Sequence, residues 1–437
     1  MPLLDTDRDL TRHSYYDATA PRTQRFAALQ GDAGECDVAI VGGGFAGLSA
    51  AIELADRGFS VVVLEAREVG SGASGRNGGQ AIHGLACDQD EIETQLGLDA
   101  ARRVWAMTIE ALDLIRQRCV RFAIDCDWRD GFLGLAVNER KSRELRRWRD
   151  RVAEVYAYPL EWIDAGTMPR WIASPRYVGG IHDPRSGHLH PLKYSLGLAR
   201  AAASLGVRIF EGSTVKAIVH GPVATLRCEH GALRARHVLL AGNVYLDGLA
   251  PKIERRIMPV GTYIVASERL DPALAASLIP SGSAACDTNF VLDYFRTTAD
   301  QRVLYGGRVS YTTATPRNLD ASMQARMVRT FPQLAGTGID YSWGGFVDIS
   351  MNRAPDFGRL PADGTRAPNV YYVQGFSGHG VALAGLAGKL VAEAMAGDAG
   401  RFDTFARLKH RPFPGGKLFR MPALVLGTTY YRLKDLL

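Results

Sequence analysis

Residues 42–47 read Gly-Gly-Gly-Phe-Ala-Gly, and Gly42, Gly44 and Gly47 fit the GxGxxG spacing. That spacing suits a phosphate-binding turn between a strand and a helix. The first glycine permits the tight turn, the second lets the backbone approach a pyrophosphate, and the third lets helix and strand pack closely. Gly43, Phe45 and Ala46 fill the positions between them. A helix opening here would offer unpaired N–H groups and the positive end of its dipole to phosphates. Glu65, followed by Ala66, ends the next apolar run, VVVLE. A carboxylate there can bind the ribose hydroxyls of an adenosine. A glycine-rich turn without a ligand would need no such acid, so these residues read as a dinucleotide site.

Two further glycine loops decide which dinucleotide. The run 70–80, Gly-Ser-Gly-Ala-Ser-Gly-Arg-Asn-Gly-Gly-Gln, follows Glu65 directly. A nicotinamide site needs no loop there. A flavin extends back from the pyrophosphate over the sheet, and small residues leave room for it. Gly72, Ala73, Ser74, Arg76, Asn77, Gly78, Gly79 and Gln80 are therefore expected cofactor contacts, which makes FAD the expected group. The third loop, Gly375-Phe376-Ser377-Gly378-His379-Gly380-Val381, lies between a strand and a helix. Gly375, Gly378, His379, Gly380 and Val381 are expected at the flavin N1/C2=O edge, where negative charge develops on reduction. His379 is the catalytic candidate, with a positional role as the stronger reading. Val215, and Gly242 at the end of a short apolar strand, complete the set. Tyr263, Tyr294 and Trp343 suit an aromatic pocket for an amine, and ordinary core packing explains them equally well. His188 and His190, in HLHP, resemble a metal pair by eye. Nothing completes such a site, so a structural turn is the preferred reading and no metal is expected.

These residues need particular elements to hold them. Cys36–Val41 reads as a buried strand, Gly47–Arg57 as a helix and Val61–Glu65 as a second strand, which makes a βαβ unit. Leu196–Leu205 reads as a helix, with strands at Val207–Phe210 and His237–Ala241. A strand at Val370–Val373 leads into a helix from Val381 to Met395. The pieces lie far apart, so the expected fold is α/β: a discontinuous Rossmann-type FAD-binding domain (36–85, 191–245 and 341–400). A substrate domain (86–190 and 246–340) would carry a mixed, largely antiparallel sheet and helices, among them Ala100–Cys119. Residues 1–35 read as an arm and 401–437 as a tail.

The chain's 437 residues suit two interleaved domains. Hydrophobic residues at 46% and charged residues at 22% fit a globular enzyme. The formal charge of +6 brings no nucleic-acid recognition motif with it. The six cysteines form no CxxC pair, and free thiols suit a reducing compartment. With no signal-like N-terminus and no run of about 18 apolar residues, the expected location is the cytoplasm. The tail, from Leu418 to Leu437, mixes apolar, aromatic and basic residues, which suits a peripheral membrane contact or packing on its own protein, the latter preferred.

Eight segments resemble the D-amino-acid-oxidase-like flavoproteins, and within them most of all the bacterial γ-glutamylputrescine oxidases, with L-pipecolate oxidases nearly as similar. They are GASGRNGGQ (72–80), IDCDWR (124–129), SGHLHPL (186–192), LDYFR (292–296), LYGGR (304–308), SGHGV (377–381), HRPFPGGK (410–417) and YYRLKDLL (430–437). The resemblance implies FAD, a two-domain fold with a mixed sheet over the flavin, and oxidation of a CH–NH or CH–NH2 bond. Hydride would pass to flavin N5 from a neutral amine, and the imine would then hydrolyse, with O2 or a quinone as acceptor. Two departures bear on the substrate. Sarcosine oxidases follow GFSGHG with an aromatic and a lysine, where this chain has Val381 and Ala382. Many amino-acid oxidases carry an arginine shortly after Trp-x-Gly, where this chain has Val347. Valine cannot grip a carboxylate as a guanidinium does. The donor carbon is therefore expected to carry no adjacent carboxylate, with Asp348 a candidate dock for the amine. The alternatives are a pipecolate-type enzyme, using a cation such as Arg76, Arg308 or Arg353, and a flavin-binding partner subunit without turnover. No cysteine lies in 340–360, so non-covalent FAD is expected.

Overall fold

The computed structural model describes residues 3, 7, 10, 14–289, 291–310, 318–360 and 369–414. Strand Gly31–Val41 is buried over its last four residues, as a strand covered on both faces must be. It lies at the centre of an eight-stranded sheet, between Val61–Leu64 and Gly231–Leu240, parallel to both. Arg208–Phe210 extends the sheet beyond Val61–Leu64, and Val370–Gln374 extends it beyond Gly231–Leu240, again in parallel. Asp356–Leu360 closes that edge antiparallel, and the strands Val215–Val219 and Ala224–Cys228 form a hairpin beside Gly231–Leu240.

One face of this sheet carries the helices Phe45–Asp56, Leu98–Arg121, Pro191–Ser204 and Gly380–Met395. Phe45–Asp56 and Gly380–Met395 approach so closely that small residues are obligatory. A Cβ on Gly388 would stand 2.3 Å from the Ala46 carbonyl oxygen and 2.6 Å from the Ala50 nitrogen. Across the contact Ser49 Oγ donates to the Gly385 carbonyl. The Gly380–Met395 helix is apolar because it is core: thirteen of its residues are buried. Among the described residues no single helix is long and apolar enough to cross a membrane.

A second sheet of nine strands runs Ile339–Ser350, Ile257–Ser267, Val303–Ser310, Tyr294–Thr297, Ala284–Asp287, Arg129–Ala136, Gly179–His188 and Gln80–Ala81, with Glu161–Asp164 beside Gly179–His188. Every pairing is antiparallel except Ala284–Asp287 with Arg129–Ala136. The expected mixed, largely antiparallel sheet is present. Helix Leu319–Thr330 covers one face, with Met323 and Met327 fully buried.

The structure moves four of the expected boundaries. Ile339–Ser350 pairs along its whole length with Ile257–Ser267, so 341–350 belongs to the second sheet. The chain returns to the first sheet only at Asp356. Helix Leu98–Arg121, placed by sequence in the substrate domain, buries its apolar stripe in the core of the first sheet. The arm is not detached: Leu3 and Leu10 pack in the second-sheet core, Tyr15–Thr19 is helical, and strand pairing begins at Gly31. Phe402 and Phe405 are buried, so the tail begins as core, and 415–437 lies outside the described residues.

Gly388→Ala should separate two helix backbones and lower unfolding stability by about 1–3 kcal/mol. Denaturant unfolding measures this, and an unchanged midpoint would mean that the helices are not packed as described.

Candidate active site

Four loops converge at the carboxyl ends of the parallel strands, the usual ligand position in such a sheet. Strand Gly31–Val41 leads into Gly42, Val61–Leu64 into Glu65, Gly231–Leu240 into Ala241 and Gly242, and Val370–Gln374 into Gly375. With the loop 70–77 they surround a cleft of about 1230 Å³, part of it open to solvent, which Val347 and Asp348 of the second sheet also line.

The first loop is shaped by its glycines. Gly42 has φ +113°, and a Cβ there would lie 2.6 Å from the Ala241 carbonyl oxygen. A Cβ on Gly47 would lie 2.0 Å from the Gly42 carbonyl oxygen. Gly42, Gly44, Phe45 and Ala46 line the cleft, whereas Gly43 and Gly47 support them from behind. Ser74 Oγ accepts the Phe45 amide at 2.9 Å and so ties the second loop to the helix N-terminus. Glu65 lines the cleft with Ala66. Its carboxylate accepts the Gly43 amide at 2.7 Å and the Arg67 amide at 2.9 Å. Burial pushes its pKa up while both amides pull it back. The geometry leaves a fixed carboxylate facing the cavity, with lone pairs remaining for hydroxyl donors.

The second loop is braced from within and from the second sheet. Gly72, Ala73, Ser74 and Asn77 line the cleft. Asn77 donates to the Ala73 and Ser74 carbonyls and accepts the Gly79 amide at 2.8 Å. Arg296 Nε donates to the Gly78 carbonyl at 2.8 Å, and Trp343 Nε1 donates to the Arg76 carbonyl at 2.9 Å. Gln80 turns to the second sheet and donates to the Ala285 carbonyl at 3.0 Å. Arg76 does not line the cleft. It pairs with Asp7 at 2.8 Å, as Arg67 does at 2.5 Å, and Tyr245 donates to the same fully buried carboxylate at 3.0 Å.

Gly378, Gly380 and Val381 of the third loop line the cleft. Asp348 holds this loop in place: its Oδ2 accepts the Gly375 amide at 2.5 Å and the Phe376 amide at 3.3 Å, and the Asn243 side chain adds a hydrogen bond. Burial raises the Asp348 pKa to about 6. The expected amine dock is thus occupied as a loop anchor. His379 turns away from the cleft, with Nε2 donating to the His83 carbonyl at 3.1 Å. Burial lowers its pKa to about 4, so it is neutral at pH 7.

The aromatic candidates divide. Tyr263 and Trp343 are 1% exposed core residues. Tyr294 is half-buried against the second loop, where a Cβ on Gly78 would meet its ring at 2.6 Å. His190 caps helix Pro191–Ser204 by accepting the Lys193 amide, and His188 meets the Gly282 carbonyl. Among the described residues no group could hold a metal. Val215 and Gly242 line the cleft as expected. Sequence reasoning missed Arg67, Ser71, Asn243 and Tyr245, which also line it. The position of Gly242 after a parallel strand was signal enough for Asn243, but nothing local marked Asp7 or its arginines.

The cleft fits FAD. The phosphate turn, the ribose acid and the space beside the third loop stand in sequence along one wall. Buried Ser71 Oγ and Arg67 Nε have no protein hydrogen-bond partner among the described residues, so polar atoms stand ready for a ligand. Gly42–Gly47 would hold the pyrophosphate, Glu65 the ribose, Val215 the adenine and Gly378–Val381 the flavin edge.

Fold and cleft together define a flavin-dependent oxidoreductase. Residues 37–394 match the DAO family of FAD-dependent oxidoreductases, and the chain belongs to it. It is 44% identical to γ-glutamylputrescine oxidoreductase of Escherichia coli, over 98% of this chain and 99% of that one. It is 42% identical to the probable oxidoreductase OrdL of Haemophilus influenzae, over 91% and 92%. Among solved structures, glycine oxidase of Geobacillus kaustophilus shares the fold with a TM-score of 0.69 at 23% identity, over 83% of this chain and 95% of that one. L-amino acid deaminase of Proteus vulgaris gives 0.71 at 17%, over 88% and 99%.

Glu65→Ala removes ribose hydrogen bonds worth about 1.5–3 kcal/mol each for a charged acceptor. FAD affinity should fall roughly tenfold or more. Fluorescence titration of the apoprotein with FAD tests this, and unchanged affinity would place the ribose elsewhere.

Proposed function

We propose that this enzyme oxidises the CH–NH2 bond of an amine whose reacting carbon bears no carboxylate, as at the putrescine end of γ-glutamylputrescine. The observation that carries the reading is Val347, which lines the cleft beside Asp348. Among the described residues lining the cleft, Arg67 is the one cation, and Asp7 already pairs with it. Arg76 is likewise held by Asp7, and Arg353 lies buried near Asp88. The Arg308 side chain lies outside the described part of the structure. A substrate carboxylate buried beside Val347 would lack a partner, which costs several kcal/mol. The E. coli relative's name supports the same donor.

Bound FAD supplies the two-electron oxidising capacity that turns the CH–NH2 unit into an imine, which water then hydrolyses. The protein's own groups position and desolvate. Helix Gly380–Met395 directs its N-terminal dipole toward the cleft through Gly380, where negative charge is stabilised. Asp348 fixes the loop that precedes that helix. The acids lining the cleft are Glu65 and Asp348, both engaged by backbone amides, so neither is free to act as general base. An apolar wall at Val347, Val373, Phe376 and Val381 favours the neutral amine, the form that can lose hydride. Dioxygen is assigned as the final acceptor. The overall balance is amine, dioxygen and water going to aldehyde, ammonia and hydrogen peroxide.

The experiment compares kcat/KM for γ-glutamylputrescine, L-pipecolate, sarcosine and glycine. γ-Glutamylputrescine should rank first. A clear preference for pipecolate would sink the reading and mean that a cation outside the described cleft grips a carboxylate. No turnover with any amine would favour a flavin-binding partner subunit.

A further inference from the structure

We propose that Cys119 and Cys126 form a peroxide-sensitive dithiol that closes to a disulfide. Their sulfurs lie 3.5 Å apart. Cys119 sits in the last turn of helix Leu98–Arg121. The chain then doubles back, with the Ile124 amide donating to the Cys119 carbonyl at 2.9 Å. Ala123 and Asp127 adopt left-handed φ values of +49° and +54°, a conformation that ordinary residues take only when packing demands it.

Packing does demand it here. The Cys126 carbonyl accepts the His190 amide at 2.7 Å, and Asp127 pairs with Lys193 at 2.9 Å. Ile124 presses on helix Pro191–Ser204, where a Cβ on Gly197 would meet it at 2.3 Å. The return segment is therefore pinned at three points. A disulfide needs the sulfurs at about 2.05 Å, and they already stand within 3.5 Å of each other.

The two thiols have different tasks. Cys119 is partly exposed and Cys126 is 2% exposed. The thiols share one hydrogen bond in which either sulfur can donate, so the difference in exposure sets their roles. Cys119 is thus the nucleophile and Cys126 the resolving group. The other four cysteines, Cys36, Cys87, Cys228 and Cys286, are all pushed up by burial. In the first step the Cys119 thiolate attacks peroxide, breaks the O–O bond and becomes a sulfenic acid. In the second, the Cys126 sulfur displaces hydroxide from it. Two thiols and one hydrogen peroxide give one disulfide and two waters. The oxidant's origin in the enzyme's own turnover rests on the dioxygen reading above, whereas the chemistry of the pair does not.

The FAD-loaded enzyme is treated with hydrogen peroxide, quenched with an alkylating reagent and digested with trypsin. Cleavage after Arg118, Arg121 and Arg129 places the two cysteines in separate peptides, 119–121 and 122–129. The expected result is a covalent link between them, with free thiols falling from six to four. The link should form at least about tenfold faster than oxidation of any buried cysteine. In Cys126→Ser, dimedone should trap a sulfenic acid at Cys119; in Cys119→Ser, Cys126 should stay reduced. Unlinked peptides, or sulfinic acid at Cys119 of the wild type, would overturn the proposal. The wild-type map decides even where a variant does not fold, and added peroxide keeps the outcome independent of the substrate and acceptor assignments.

Discussion

The two sheets meet at the cleft where Asp348, near the end of strand Ile339–Ser350, accepts the amides of Gly375 and Phe376. A buried carboxylate is costly by itself, and burial here raises its pKa to about 6. The amides and the Asn243 side chain offset that cost, so the charge is tolerated at neutral pH. The interaction joins two otherwise separate architectures. It sets the third glycine loop against the second sheet, and it places Val347 on the cleft wall. Glu65 repeats the device at the end of Val61–Leu64, where its carboxylate holds the Gly43 and Arg67 amides.

Much of the first sheet was legible in the sequence because parallel strands are continuous apolar runs with glycines after them. Cys36–Val41, Val61–Leu64, His237–Ala241 and Val370–Val373 are runs of this kind, with Gly42, Glu65, Gly242 and Gly375 just after or within two residues of them, whereas the mixed first half of Gly231–Leu240 gave no such signal. The second sheet was legible as a class but not in its extent. Ile339–Ser350 alternates only loosely and contains Gly344 and Gly345, so no local pattern shows that it pairs with Ile257–Ser267 throughout. Likewise helix Leu98–Arg121 is amphipathic, but its apolar stripe does not say which core receives it.

The misplaced roles share one cause: a side chain's type was visible and its partner was not. Trp343 and Tyr263 read equally well as pocket or core aromatics, and their burial makes them core, with Trp343 Nε1 on the Arg76 carbonyl. Asp348 read as an amine dock, but the partners that occupy it come from a loop 27 residues on. Arg76 read as a cofactor contact, and its actual partner is Asp7, from a segment with no recognisable pattern. Long-range ion pairs of this kind leave no periodicity behind. His379 lies behind the loop with Nε2 on the His83 carbonyl, and burial lowers its pKa to about 4.

The central claim is that the cleft wall at Val347 selects amines without an adjacent carboxylate. Val347→Arg tests it most directly, by the rate of anaerobic flavin bleaching in a stopped-flow instrument. A guanidinium there would put an unpaired, desolvated charge on the apolar wall that receives the neutral amine and its methylenes. The account predicts that the FAD-loaded variant is bleached by γ-glutamylputrescine at least about tenfold more slowly than the wild type. Bleaching by that amine at the wild-type rate, with FAD fully bound, would contradict it.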